Sequence, residues 1–292
     1  MEKTSGAMVG PSPYELKALR EIRAWKAPKK KALWRRLAAP AFPASHAADL
    51  ITGLPGVNWV VEKTVGGLIT ILGDLAHWTV SPERVYKSYR HNGYPVFGPA
   101  DVFSLDLEDV DRLARGLAKK YQGLAAAEGA VAGSAGLPGL PADIISLTAL
   151  NQRAAAEYST HYGFDISLEQ ERLLALDVLW LASREEEKDQ SLAMRQIRNL
   201  AFGAARKKAL GSLEDKILPE VIAGLAERLG LNLVKSKGLQ FIPVVGLAVG
   251  AGSNILFTGR VCRAARQLYR ERFLLEKYGP DLLADQLPAE ED

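Results

Sequence analysis

Apolar positions recur every three or four residues along most of the chain, and no stretch alternates with the two-residue period of a strand. Behind Ser12 and Pro13, an N-cap and a first helical position, Leu16, Leu19, Ile22 and Trp25 form one stripe opposite a basic face. Residues 57–78 read as an apolar helix weakened by Gly66, Gly67 and Gly73, and Ser81-Pro82-Glu83 starts a helix that Gly93 and Pro95 stop. Asp106 caps a long helix to about Gly133, amphipathic before Lys120 and small and apolar after it except for Glu128. A helix over 141–162 begins at Pro141 and places Ile144, Leu147, Leu150, Ala154 and Tyr158 on one face. Ser167 and Gln170 read as a capping box for the next helix; further helices are predicted over 191–210, from Ser212 to Gly230, and up to Tyr278. The chain is predicted to be all-α: residues 1–12 disordered, one helical domain over 13–279, and an acidic tail over 280–292.

Two stretches break the amphipathic pattern. Gly129–Gly163 and Gly238–Gly279 share a plan, an uncharged Gly-rich run feeding a helix that ends in Tyr-Gly. Between Lys237 and Arg260 lie 22 residues without an ionisable side chain, roughly 33 Å as straight helix and long enough to cross a hydrocarbon core. Pro243, Gln240, Ser253 and Asn254 count against a permanent span, because an Asn inside lipid is costly and one inside a bundle can be hydrogen-bonded. Close packing of the two units at the centre of a multi-helix bundle is the favoured reading, with Gly246, Gly250 and Gly252 as a flat contact face. A hairpin that inserts into a membrane under some conditions remains the alternative.

Charge adds a setting. The first 40 residues hold ten Lys and Arg against three acids, a local charge of +7 in a chain of net charge +3. Asp281, Asp285, Glu290, Glu291 and Asp292 give the other end the opposite sign. Trp25, Lys26, Lys29, Lys30, Lys31, Trp34, Arg35 and Arg36 suit an anionic membrane surface, where indoles sit at headgroup depth. No RNA-recognition pattern accompanies them, and no nucleic-acid partner is expected. The bland alternative is a solvated basic helix whose tryptophans pack on the core. Cys262 is the single cysteine, so no internal disulfide forms, and the N-terminus lacks the apolar run of a secretory signal. A cytoplasmic location is the simplest expectation.

Motifs of known chemistry are absent. Ala132-Gly133-Ser134-Ala135-Gly136 lacks the first glycine of a nucleophile elbow, and Gly250–Ile255 lacks the third glycine of a dinucleotide fingerprint. His46, His77, His91 and His161 are scattered without zinc-ligand spacing. No catalytic residue, cofactor or metal is expected. The candidate polar core or site consists of Glu128, Asp143 and Asn254 within the Gly-rich units, with Arg153 and Arg260 as partners for the acids. Glu128 should find a cation or carry a raised pKa. Asp143 is explained by the first-turn dipole of a helix starting at Pro141. Asn254 is placed to cap or cross-link the helix pair.

The runs AAAEGAVAGSAGLPGLPADI and FIPVVGLAVGAGSN, the helix ends at HYGFD and Tyr278-Gly279, and the opening YELKALREIRAWKAP together resemble the EcsC family of bacterial proteins. The resemblance runs from about Tyr14 to Gly279. It implies a context and no catalytic residues: the family is named for a product encoded beside an ABC transporter and linked to secretion. The resulting expectation is a non-enzymatic accessory protein, peripheral to the inner face of the cell membrane, that meets an ABC transporter or another membrane protein. The alternatives are a soluble helical scaffold that binds a partner protein and a hydrolase-type enzyme with its site between the Gly-rich helices.

Overall fold

The computed structural model describes residues 10–27, 56–73, 80–133, 136–183, 217–237 and 246–285. Ten helices and no strand occur among them: α1 Pro13–Lys26, α2 Val57–Gly73, α3 Pro82–His91, α4 Pro99–Val102, α5 Leu107–Ala114, α6 Leu117–Gly133, α7 Gly136–His161, α8 Glu169–Ser183, α9 Ile217–Lys237 and α10 Gly246–Asp285. The fold is an all-α bundle.

The hub is α7. It packs against α2, α6, α8 and α10, and more lightly against α3, α5 and α9. Its sequence explains this position, because Ala154, Ala155, Ala156, Asn151, Gln152 and Thr148 are all fully buried and mostly small. A helix that packs against several neighbours at once needs side chains short enough for them to approach. Among the described residues the most extensive helix contact joins α6 to α10, and both lie against α7.

Among the described residues, close approach through glycine occurs at Gly67 and Gly230 and not at Gly252. A side chain at Gly252 would meet nothing among the described residues, and the side-chain surroundings of Gly246 and Gly250 are not described. Gly67 of α2 lies against Ile145, and Gly230 of α9 lies 3.3 Å from Leu68 and Val65 of α2, measured from an added Cβ. The helix expected to stop at Gly230 therefore runs on to Lys237. That glycine serves a helix crossing, and packing overrides its low helix propensity.

Three further boundaries differ from expectation. The helix expected over 106–133 is two, broken between Ala114 and Leu117 at Arg115-Gly116. The helix expected from Pro141 begins at Gly136 and carries Pro141 inside it. Proline there removes only the bond to the carbonyl of Leu137, and the buried face of α7 outweighs that loss. Ser167 stands ahead of α8 and donates its N–H to Asp165 at 2.9 Å, so the expected capping box is replaced by a turn held by Asp165. At α1, in contrast, Ser12 and Glu15 form a complete capping box behind Pro13. The expected helix over 191–210 and the Ser212 cap lie outside the described residues.

Candidate functional site

The Tyr-Gly ends of α7 and α10 converge on two buried carboxylates. Gly163 and Gly279 both have positive φ, 85° and 77°: Gly163 turns the chain after α7, and Gly279 kinks α10, whose first and longer segment ends at Tyr278. The preceding tyrosines point inward. Tyr162 donates to Asp111 Oδ1 at 2.5 Å, and Tyr278 donates to Glu15 Oε2 at 2.6 Å.

Asp111 and Glu15 are each saturated with donors. Asp111 also accepts from Tyr14 at 2.7 Å and faces Arg270 at 2.9 Å and Arg266 at 3.3 Å. Glu15 accepts from the Ser12 N–H, from Lys277 at 2.9 Å and from the Leu107 N–H. Burial disfavours the Glu15 charge, but the Tyr278 and Lys277 hydrogen bonds outweigh it and hold the carboxyl below its usual range. Arg270 reaches Glu21 at 2.8 Å and Lys26 reaches Glu271 at 2.5 Å, which fastens α1 along α10. These contacts fill the acids' acceptor sites and act as structural clamps between the N-terminal helix, α5 and the two Tyr-Gly ends.

Among the candidate polar residues, Asp143 and Asn254 are brought together. Both are buried, and Asn254 Nδ2 donates to Asp143 Oδ1 at 3.0 Å, joining α10 to α7. Further along the same seam Asn151 donates to Thr258 at 3.1 Å. Asp143 sits well inside α7, so this amide, and not the dipole of a first turn, is its local partner. Glu128 is half-buried on α6, and Arg260 is half-buried on α10 beside the Phe257 ring. Arg153 is exposed on α7, away from the Asp143–Asn254 seam.

Of the candidate membrane contacts, Trp25 packs against the core edge and Lys26 is engaged by Glu271. Lys29, Lys30, Lys31, Trp34, Arg35 and Arg36 lie outside the described residues. On α1 itself Lys17 and Arg20 face outward.

A polar cleft opens between α3, α6 and α7, with a volume of about 190 Å³. Ser81 and Arg84 line it from the start of α3, Lys120 from α6, and Arg153, Glu157 and His161 from α7. Glu157 accepts from Lys120 at 2.6 Å and from the Tyr121 hydroxyl at 2.5 Å. Burial works against the Glu157 charge, but these two donors prevail and hold its carboxyl below the ordinary range. Burial pushes His161 down to about 4, so its imidazole is neutral at physiological pH.

Of the residues that line this cleft, Arg153 is the one among the candidate polar residues expected from the sequence; the cleft itself was not expected. The i,i+4 spacing of Arg153, Glu157 and His161 on one helix face was a visible signal. The contributions of Arg84 and Lys120 come from distant segments and had none.

The comparisons agree with the resemblance drawn from the sequence. The model of the EcsC protein family matches residues 16–274. The uncharacterised protein YdbA of Bacillus subtilis is 22% identical over 272 residues, covering 89% of this chain and 92% of the relative. Protein EcsC of the same organism is 29% identical over 179 residues, covering 61% of this chain and 70% of the relative. No solved structure matches the chain. With the family model spanning nearly the whole helical bundle, the chain belongs to the EcsC protein family.

Proposed function

We propose that this protein is a non-enzymatic accessory factor that works at an anionic membrane surface, on its cytoplasmic side, and assists a transporter or a secretion process. The observation that carries this reading is the charge asymmetry, +7 over the first 40 residues and an acidic C-terminal end. The clamped position of α1 supports it. With α1 fixed to α10, Lys26 at the end of α1 is anchored, and Lys17 and Arg20 on α1 present basic side chains outward. Lys29, Lys30, Lys31, Arg35 and Arg36 would contribute about 1 kcal/mol each near anionic lipid. Together that is about 5 kcal/mol, a reversible association with a Kd on the order of 0.1–1 mM before Trp34 or a protein partner adds to it. No helix among the described residues is long and apolar enough to cross a membrane, so attachment in this reading comes from charge. The transport setting rests on the family context alone.

Replacing those five cations with glutamine tests the reading. Co-sedimentation with phosphatidylglycerol vesicles should fall to the level seen with neutral vesicles, and unchanged binding would rule out the basic segment as the attachment.

A second reading, a scaffold that binds a partner protein, is favoured by exposed apolar side chains on adjoining helices: Leu124 and Val131 on α6 and Leu256 on α10, the last two 76% and 69% exposed. The hydrolase reading draws no support from the Gly-rich pair, because Asp143 there is buried and bonded to Asn254.

A further inference from the structure

We propose that the cleft between α3, α6 and α7 is a phosphate-binding site, taking inorganic phosphate or a phosphomonoester with a short substituent. Three cations from three helices, Arg84, Lys120 and Arg153, line one small cavity, and Glu157 is the one carboxylate among the residues that line it. Glu157 is already committed to Lys120 and Tyr121. The nearby Glu83 is taken by Arg90 on the outer side of α3. Among the described residues neither Arg84 nor Arg153 meets a carboxylate, so the cavity keeps an excess of positive charge. Guanidinium groups gathered in this way are suited to a doubly charged, tetrahedral oxyanion, which several of their donors can bond at once. The same charges repel a metal ion.

The backbone adds to this. Helix α3 starts at the cleft mouth, where its N-terminal dipole favours an anion. Its N-cap residue, Ser81, makes no capping hydrogen bond with its side chain, which leaves that hydroxyl available to a ligand.

The independent observation is His161. It is 5% exposed, it lines the cleft, and its Nδ1 is buried with no hydrogen-bond partner. An imidazole nitrogen left unbonded in the interior costs on the order of 1–3 kcal/mol; Nδ1 is closed to solvent, so a ligand oxygen removes that cost once the ring turns it towards the cleft. At about 190 Å³ the cavity falls below the ~300–1,000 Å³ of sites that enclose drug-sized ligands. The cleft encloses a phosphate with a short substituent, and the rest of a whole nucleotide would lie outside it in solvent. The site uses no residue of the basic N-terminal segment, so it stands whether or not that segment binds membrane.

The test is calorimetric titration of the full-length protein with inorganic phosphate and with glycerol 3-phosphate at low ionic strength. Saturable binding is expected for the wild type. Arg84→Gln and Arg153→Gln should each weaken it about tenfold or more, whereas Arg112→Gln, at a surface arginine outside the cleft, should not. Both cleft arginines are exposed, and unchanged melting temperatures will verify that the variants fold. His161→Phe, which keeps a ring but no ring nitrogen, should weaken binding as well. Absence of saturable binding, or equal binding by the arginine variants, overturns the proposal. Vesicles holding phosphatidic acid or phosphatidylglycerol at equal surface charge separate the sources. Preference for phosphatidic acid that soluble phosphate competes away assigns the site to a lipid headgroup; phosphate binding with equal affinity for both vesicles assigns it to a soluble ligand. Vesicle binding without phosphate binding overturns the site and leaves the membrane reading intact.

Discussion

Asp111 is the residue whose removal should damage this fold most. Its side chain is 2% exposed and so is that of Arg270, 2.9 Å away. Asp111→Ala leaves Arg270 with Glu21, a carboxylate 43% exposed, and a long bond to Gln267, and strips the hydroxyls of Tyr162 and Tyr14 of their acceptor. Breaking a buried ion pair from one side costs about 3–5 kcal/mol, a large share of the ~5–15 kcal/mol that stabilises a typical domain. In a chain of this size that corresponds to a drop in melting temperature of about 6–20 °C. Chemical unfolding followed by tryptophan fluorescence measures it, since Trp180 is buried in α8. Asp109, which meets Arg112 on the surface, is the control, and Asp109→Ala should cost less than about 1 kcal/mol. Asp111→Leu combined with Arg270→Met should cost less than Asp111→Ala alone, because the double change leaves no charge stranded. If Asp111→Ala costs no more than Asp109→Ala, the clamp contributes nothing and the reasoning fails.

Other outcomes follow from the same structure. Burial raises the Asp177 carboxyl from 3.8 to about 7. Its contribution is therefore intact below about pH 4 and lost as pH rises through 7. The difference corresponds to roughly 4 kcal/mol, so Asp177→Asn should stabilise the protein by up to that order at pH 8 and hardly at pH 4, as urea unfolding at the two pH values would show. Equal effects at both would contradict a buried, unpaired Asp177. Gly163→Ala should destabilise by about 2–4 kcal/mol, combining left-handed strain with a Cβ placed 2.9 Å from the Pro99 carbonyl oxygen. Gly279→Ala has the strain without a clash, and should cost only about 1–2 kcal/mol. Thermal melts that ranked the two in the opposite order would show that the turns are not equivalent in the way the backbone indicates.

Helix content was legible because it depends on local pattern. Asn254 was legible as a cross-link for a similar reason, since an amide within an apolar run needs a partner wherever it lies. The clamps were not. Glu15 reads as an ordinary acid in the first turn of α1, and its bond to Tyr278 spans 263 residues. Asp111 reads as one of several acids on an amphipathic helix, and nothing local marks it as the acceptor of Tyr162 and Arg270. The repeated Tyr-Gly endings were visible, but their meaning depended on where the tyrosines pointed. Gly230 and Gly116 show the two ways a glycine can mislead: the first packs inside a continuing helix, the second breaks what looks like one. His161 appeared as one scattered histidine because its neighbours in the cleft come from α3 and α6.

The central claim, electrostatic attachment to an anionic membrane, is tested most directly by co-sedimentation of the full-length protein with phosphatidylglycerol vesicles across a salt series. The account predicts binding at low ionic strength that weakens progressively as the Debye length shrinks towards ~8 Å at physiological salt. Absence of binding at the lowest salt, or binding that salt does not change, would contradict it.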